Sequence, residues 1–308
     1  MTPPRAIAIA FAGCCLGVAL FSVMDAAMKG LSLSIGLFNA LFWRALTGSL
    51  LGLGMMLLTR QRWPSPAVLR IHILRGVVVA VMASLFFWAL MRMPLAQAIA
   101  LSFIAPLIAL YLAAWLLKEK VGRRTVGASL LGLVGVAVIL SDRLHGGYDP
   151  DALLGAAAVL LSAALFAWNL IIQRQQAQLA SPVEVAFFQH LVMFGVFALA
   201  GAVAALTPGI VDMPLQIPAG GSWLLIILTA LLAFSSLAIL AWAYARAEAQ
   251  YLIPVEYTAF LWASVIGWIA FDERVTPATI AGAVLIVAGC LIAARSGRDM
   301  AQVEAGVA

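Results

Sequence analysis

Apolar residues in this chain gather into long runs, separated by short stretches that carry charge, Pro, Gly or Ser. With charged and turn residues as breaks, ten runs emerge, at 6–28, 36–58, 71–91, 94–117, 125–140, 152–172, 184–206, 222–244, 252–270 and 278–294. A helix of about 20 apolar residues spans a bilayer, so the pattern predicts ten transmembrane helices. The longest connections are 59–70 (TRQRWPSPAVLR), 141–150 (SDRLHGGYDP) and 207–221 (TPGIVDMPLQIPAGG), each rich in loop-forming residues. Little polypeptide is left outside the membrane. The first run, preceded by Arg5, is too long for a signal-peptide core, and Asp25 and Lys29 fall where a small-residue cleavage site belongs. A retained first helix is the expectation.

Composition agrees with the pattern. Apolar residues make up 65% of the 308 positions and charged residues 10%, against about 45–50% and about 25% in soluble domains. The net charge of +5 would hint at nucleic acid in a soluble protein. Here basic residues are expected to set topology, and no nucleic-acid partner is implied. With the N-terminus in the cytoplasm, thirteen Lys and Arg fall on the inner side and four on the outer, with Arg44 inside the second run. Both termini are therefore expected in the cytoplasm. Cys14, Cys15 and Cys290 lie inside apolar runs without metal or redox spacing and read as packing thiols.

A weak internal duplication organises the chain further. At an offset of 154 residues, Trp88, Ala89 and Arg92 fall on Trp242, Ala243 and Arg246. Glu119, Val121, Thr125 and Gly135 fall on Glu273, Val275, Thr279 and Gly289 at the same offset. The earlier runs align at 145, where Ala19-Leu20-Phe21 meets Ala164-Leu165-Phe166 and Phe42 meets Phe187. Polar matches holding one offset across two runs and a loop argue for a repeat. The reading gives a first five-helix repeat at 6–140, a second at 152–294, and a cytoplasmic tail at 295–308. Five is odd, so the second copy enters the membrane inverted. The loop KEKVGRR carries four basic residues and its counterpart DERVTPA one, as a change of side requires. Inverted repeats of this kind build secondary transporters whose substrate site lies between the halves near the midplane.

The paired segments WLLKEKVGRRTVGASLLGLVGVAVIL and WIAFDERVTPATIAGAVLIVAG, with LSFIAPLIALYLAAWLLKE and FNALFWRALTGSLLG, resemble the drug/metabolite transporter superfamily, specifically its EamA-like members. That resemblance implies an all-α integral membrane protein of ten helices, two inverted five-helix repeats around a central cavity. It implies small-metabolite transport across the bacterial inner membrane by alternating access. Members of this length most often resemble amino-acid exporters of the YddG type. Uptake carriers for riboflavin or S-adenosylmethionine are the rival expectation. No cofactor is implied, and the partners are a small-molecule substrate and the lipid bilayer; the oligomeric state is open.

Candidate substrate contacts come from polar and aromatic residues within the runs, because ionisable groups there usually face a cavity or a partner. Asp25 either faces the pathway or pairs with Lys29 one turn on. Arg44, with Asn39 near its face, either attracts a substrate carboxylate or locks helices through backbone carbonyls or Glu184. Glu256 and Tyr257 follow Pro254, whose missing donor loosens the turn; Gln97 and Ser102 lie beside Pro106 in the fourth run. Trp88 and Trp242 either stack on substrate or belong to the interfacial belt, and Trp168, beside Asn169 and sharing a helix with Ser162, is read toward the cavity. The pairs Gly13/Gly17 and Gly48/Gly52 are read as internal helix packing. His190 is either a proton relay or a satisfied bundle histidine. His72, His145 and His190 are dispersed, and no HExxH, paired-aspartate or GxSxG motif occurs, which argues against a membrane-embedded enzyme. No pore-loop filter or ring of like charge is evident, which argues against a channel.

Overall fold

The structure is a computed structural model that describes residues 4–117, 123–145, 150–207, 213–244, 246 and 255–307. The described residues are overwhelmingly helical. The helices are α1 (Pro4–Ile35), α2 (Leu37–Leu58), α3 (Pro66–Leu90), α4 (Leu95–Ser102), α5 (Ala105–Leu117), α6 (Arg123–His145), α7 (Pro150–Ala177), α8 (Pro182–Leu206), α9 (Gly220–Tyr244), α10 (Ala259–Phe271) and α11 (Pro277–Val307). Six of these contain stretches long and apolar enough to cross a membrane: Ile9–Ile35, Leu37–Leu58, Pro66–Leu90, Leu153–Gln173, Pro182–Leu206 and Gly220–Tyr244. Four further apolar helical stretches, Leu95–Ala109, Ser129–Ser141, Ala259–Phe271 and Pro277–Ile292, are shorter.

Boundaries follow local chemistry. The first helix runs past 28 to Ile35, because Lys29 is buried and paired rather than marking an exit. The break comes at Gly36, whose φ of 81° only glycine adopts without strain. Ser65 and Ser181 each precede a Pro at the first helical turn and accept a backbone N–H, from Val68 at 3.5 Å and from Glu184 at 3.2 Å. The single run expected at 94–117 is in fact two helices, α4 and α5. Pro106 has no N–H to give to Ser102, and its ring crowds that carbonyl. The chain answers with tight i→i+3 bonds, Phe103 N–H to Ala100 O and Ile104 N–H to Leu101 O, both at 3.3 Å. The Phe103 carbonyl then accepts the Cys290 thiol of α11 at 3.2 Å, so that cysteine closes a backbone defect as well as packing.

The principal packing pairs are α1 with α9, α2 with α8, α3 with α7 and α8, and α6 with α11; smaller contacts join α2 to α9, α1 to α10, and α4 and α5 to α7. Glycines set the closest approaches. Gly13 faces the Trp242 ring, Gly17 faces Leu240, Gly48 lies under the His190 ring and Gly52 meets Phe187. These are internal contacts, as their spacing suggests. At the crossing of α6 and α11 the contact is reciprocal. A Cβ on Gly135 would sit 2.6 Å from Gly282 O, and a Cβ on Gly282 would sit 2.6 Å from Gly135 O. Outward faces carry large apolar side chains such as Leu57, Leu206, Leu224 and Ile269, the surface that lipid solvates.

Candidate functional site

Sequence-predicted residues gather in three separate places, and Asn39, Trp88, Trp168 and Trp242 lie outside them. The first lies where α1, α2 and α3 meet. Asp25 and Arg44 are each 5% exposed. No direct ion pair joins them, and no hydrogen bond is made to the Asp25 carboxylate among the described residues. Arg44 reaches the Met24 sulfur at 3.4 Å and lies 5.4 Å from the Phe87 ring centroid, while its Nε is buried without a partner. A buried guanidinium N–H left unpaired costs about 1–3 kcal/mol. A carboxyl and a guanidinium, both buried, unjoined and incompletely satisfied, are complementary to the two ends of a zwitterion.

Neither of the ion pairs that the sequence suggests for these residues forms. Lys29 does not pair with Asp25. Its ammonium goes to Glu273 at the α10–α11 turn and to the Met93 carbonyl at 2.8 Å. The other Glu273 oxygen accepts the Leu95 N–H at 2.8 Å, at the start of α4, where a carboxylate offsets the helix dipole. Asp272, in the left-handed conformation at φ 53°, turns the chain so that Glu273 points back into this joint. Nor does Arg44 lock to Glu184, whose carboxylate meets His72 Nε2 at 2.9 Å instead.

The second place is the turn ahead of α10. Glu256 accepts the Tyr244 hydroxyl from the end of α9, near Cys14 of α1. Cys14 precedes Asp25 by eleven residues, about 16 Å along α1, so Glu256 and Asp25 are not one site. Tyr257 packs edge-on against Phe103 with centroids 5.1 Å apart. Of the fourth-run pair, Gln97 is buried and the Ser102 hydroxyl is committed to Ala98 O in its own helix at 2.9 Å.

The third place is a buried polar chain through α3, α7 and α8. Arg75 Nε donates to Asn169 Oδ1 at 3.0 Å and its Nη1 donates to Gln176 Oε1 at 2.7 Å; Gln176 Nε2 lies 2.6 Å from His72 Nδ1. The sequence reading assigned Arg75 to the inner-face charge and Asn169 to a cavity beside Trp168. In the structure Asn169 and Ser162 share the buried face, and Trp168, 42% exposed, points elsewhere. The reason is geometric: positions 162 and 169 are two turns apart, whereas 168 lies roughly 100° away. One signal for this chain was present, since His72 and Arg75 stand at i and i+3 within an otherwise apolar stretch.

Trp88 and Trp242 repeat one arrangement. The Arg92 guanidinium lies 3.5 Å from the Trp88 ring centroid and Arg246 lies 4.5 Å from that of Trp242; each Arg also donates to its tryptophan's carbonyl, at 3.1 and 3.2 Å. Asn39 does not face Arg44. Its side chain donates to Pro214 O at 3.2 Å and accepts the Gln216 N–H at 2.9 Å, while Trp43 Nε1 donates to Gln216 O at 2.8 Å. Together they clamp the segment ahead of α9 onto α2. His190 donates Nδ1–H to Ala186 O at 2.9 Å, a satisfied histidine.

Among the described residues no group of His, Cys, Asp or Glu is placed to hold a metal ion. The model of the EamA-like transporter family matches the chain twice, over residues 7–141 and 153–295. The pseudopaline exporter CntI of Pseudomonas aeruginosa is 26% identical over 278 residues, covering 90% of this chain and 92% of that one. An S-adenosylmethionine uptake transporter of Rickettsia bellii is 25% identical over 88% of each chain. A riboflavin transporter of Brucella anthropi is 23% identical over 81% of this chain and 85% of that one. A crystal structure covering 92% of this chain and 97% of its own superposes with a TM-score of 0.58 at 22% identity, a likeness of fold. The chain is thus a multi-pass membrane protein of the transporter class rather than an enzyme, and it belongs to the EamA-like transporter family.

Proposed function

We propose that the protein exports small zwitterionic metabolites, amino acids foremost, across the bacterial inner membrane by alternating access between two inverted five-helix halves. The observation that carries this is the Asp25–Arg44 pair, a buried carboxyl and a buried guanidinium with unfilled hydrogen-bonding capacity. A substrate carboxylate completes Arg44 through charge-assisted bonds and a substrate ammonium completes Asp25. The repeat adds support. At the offset of 145, Arg44 corresponds to Gln189, and Arg44 Nε and Gln189 Oε1 are two of the three unpartnered buried side-chain atoms among the described residues. Such groups on corresponding helices α2 and α8 suit a substrate held between the halves.

Ten crossings in two inverted sets are supported by the twofold match of one family model and by the packing. Exchanging α1 with α7, α2 with α8, α3 with α9, α4 and α5 with α10, and α6 with α11 turns the α1–α9 contact into α7–α3, and α3–α8 into α9–α2. The pairs α2–α8 and α6–α11 map onto themselves. Leaving out Lys29 and Arg75, both buried in the bundle, twelve basic residues stand against three, still favouring cytoplasmic termini. Export, rather than uptake, is favoured by the exporter relative.

The test is a thermal-shift screen of amino acids, nucleosides, riboflavin and S-adenosylmethionine on purified protein. Ligand at 100 times its Kd stabilises by about 2.7 kcal/mol. Amino acids stabilise the wild type, and Asp25→Asn and Arg44→Gln abolish the effect. Stabilisation by riboflavin alone, unaffected by either substitution, overturns the assignment.

A further inference from the structure

We propose that His72 and Glu184 form a proton-binding latch, held in one protonation state by Gln176 and Arg75 and joining the two halves at one end. The hydrogen bonds fix the proton positions in sequence. A guanidinium donates only, so Arg75 Nη1 at 2.7 Å compels Gln176 to present its carbonyl oxygen there. Gln176 must then present its NH2 to His72 Nδ1, 2.6 Å away, and that nitrogen acts as acceptor. The ring proton therefore sits on Nε2 and is donated to Glu184 Oε1 at 2.9 Å. The imidazole therefore sits as the Nε2–H tautomer.

Adding a proton at His72 Nδ1 sets one donor against another. If Gln176 turns to accept, its NH2 faces the Arg75 guanidinium, which has no lone pair to offer. Only Asn169 then holds Arg75, at 3.0 Å. The proton arrives from water at that end of the bundle, and no bond other than N–H forms or breaks. The latch joins α3 of the first half to α7 and α8 of the second, so loosening it weakens an inter-half contact. Glu184 comes from α8, Gln176 and Asn169 from α7, and Arg75 from α3 itself. Phe188 of α8 stacks on the imidazole with centroids 4.7 Å apart. Among the described residues α1, α2 and α4 supply no hydrogen-bonding side chain to His72, and Arg60, Arg62 and Arg70 stand exposed toward the same end.

The repeat provides an internal control. At the offsets of 154 and 145, His72, Arg75, Asn169, Gln176 and Glu184 correspond to Ile226, Thr229, Met24, Leu31 and Asn39. All five counterparts are buried too. The fold thus accommodates a largely apolar contact at this position, and the polar chain in one copy only is a specialisation beyond packing. Histidine is the side chain whose ordinary charge change falls in the range where membrane gradients operate.

The inference rests on the transporter reading only for its consequence, and its test needs no transported substrate. Full-length protein in lipid nanodiscs, with the three native cysteines replaced by Ala, carries spin labels at Arg70→Cys and Leu179→Cys, both exposed. The distance between them is measured by pulsed dipolar spectroscopy as pH falls from about 8 to about 5. The wild-type background shifts in a single one-proton transition by about 5 Å, the scale of one helical turn. His72→Gln, which keeps a donor but cannot be protonated, abolishes the shift, and His190→Gln leaves it intact. A pH-independent distance in the wild type, or an unchanged shift in His72→Gln, overturns the latch. Should His72→Gln fail to fold, 15N spectra of histidine-labelled wild type decide. A neutral ring protonated on Nε2 at high pH is expected, and the opposite tautomer overturns the proposal. Failure here with intact counterflow leaves the transporter reading standing; absent counterflow with an intact shift does the reverse.

Discussion

Lys29 and Glu273 offer the most quantitative test of the packing. Their side chains are 6% and 16% exposed, and the pair ties α1 to the α3–α4 and α10–α11 turns through Met93 O and Leu95 N–H. Lys29→Met leaves the Glu273 carboxylate buried, held only by Leu95 N–H. Breaking a buried pair from one side costs about 3–5 kcal/mol. The residual exposure of Glu273 puts Lys29→Met near the lower end, about 3 kcal/mol. Glu273→Gln is milder, about 2 kcal/mol, because the amide oxygen still accepts Leu95 N–H and Met93 O still holds Lys29. The double variant removes both charges and falls within about 2 kcal/mol of wild type, since neutral replacement of a buried pair is often tolerated. Equilibrium unfolding in mixed micelles, followed by tryptophan fluorescence, gives the cycle. A coupling of about 3 kcal/mol or more is expected. Single effects below about 0.5 kcal/mol, or strict additivity, refute the view that this joint is a desolvated ion pair.

Four further outcomes follow from local geometry. Gly135→Ala drives a methyl to 2.6 Å from a backbone oxygen and destabilises by about 1–3 kcal/mol in the same unfolding assay. Gly54→Ala meets nothing within 4 Å, so it is neutral or stabilises by up to about 1 kcal/mol. Asn39→Leu removes both side-chain bonds to Pro214 and Gln216, and amide exchange over 213–219 accelerates at least about tenfold. Ser181→Ala deletes the cap on α8 and lowers stability by about 1 kcal/mol.

The sequence reading located the apolar helices well because burial in lipid forces long apolar runs, and Gly36, Ser65 and Ser181 mark ends by local chemistry. It erred where tertiary partners decide. Lys29 resembles a helix-end charge until Glu273, distant in sequence, is brought beside it. Arg75 resembles a topology signal until Asn169 and Gln176 line up across α3. Phe103 and Ile104 fall in one continuous run, yet Pro106 divides it, a break legible from its missing donor alone. The His72/Arg75 spacing is visible in the sequence, but an i, i+3 pair acquires meaning only with partners from α7 and α8.

The central claim, that Asp25 and Arg44 hold a zwitterion in transit, is tested most directly by counterflow of labelled amino acids into proteoliposomes. Saturable exchange is expected in the wild type. Folded Asp25→Asn and Arg44→Gln lose at least about tenfold, the scale of one charge-assisted hydrogen bond, and Trp168→Ala is unchanged. Wild-type exchange in both charge variants, or a flux linear in concentration, contradicts it.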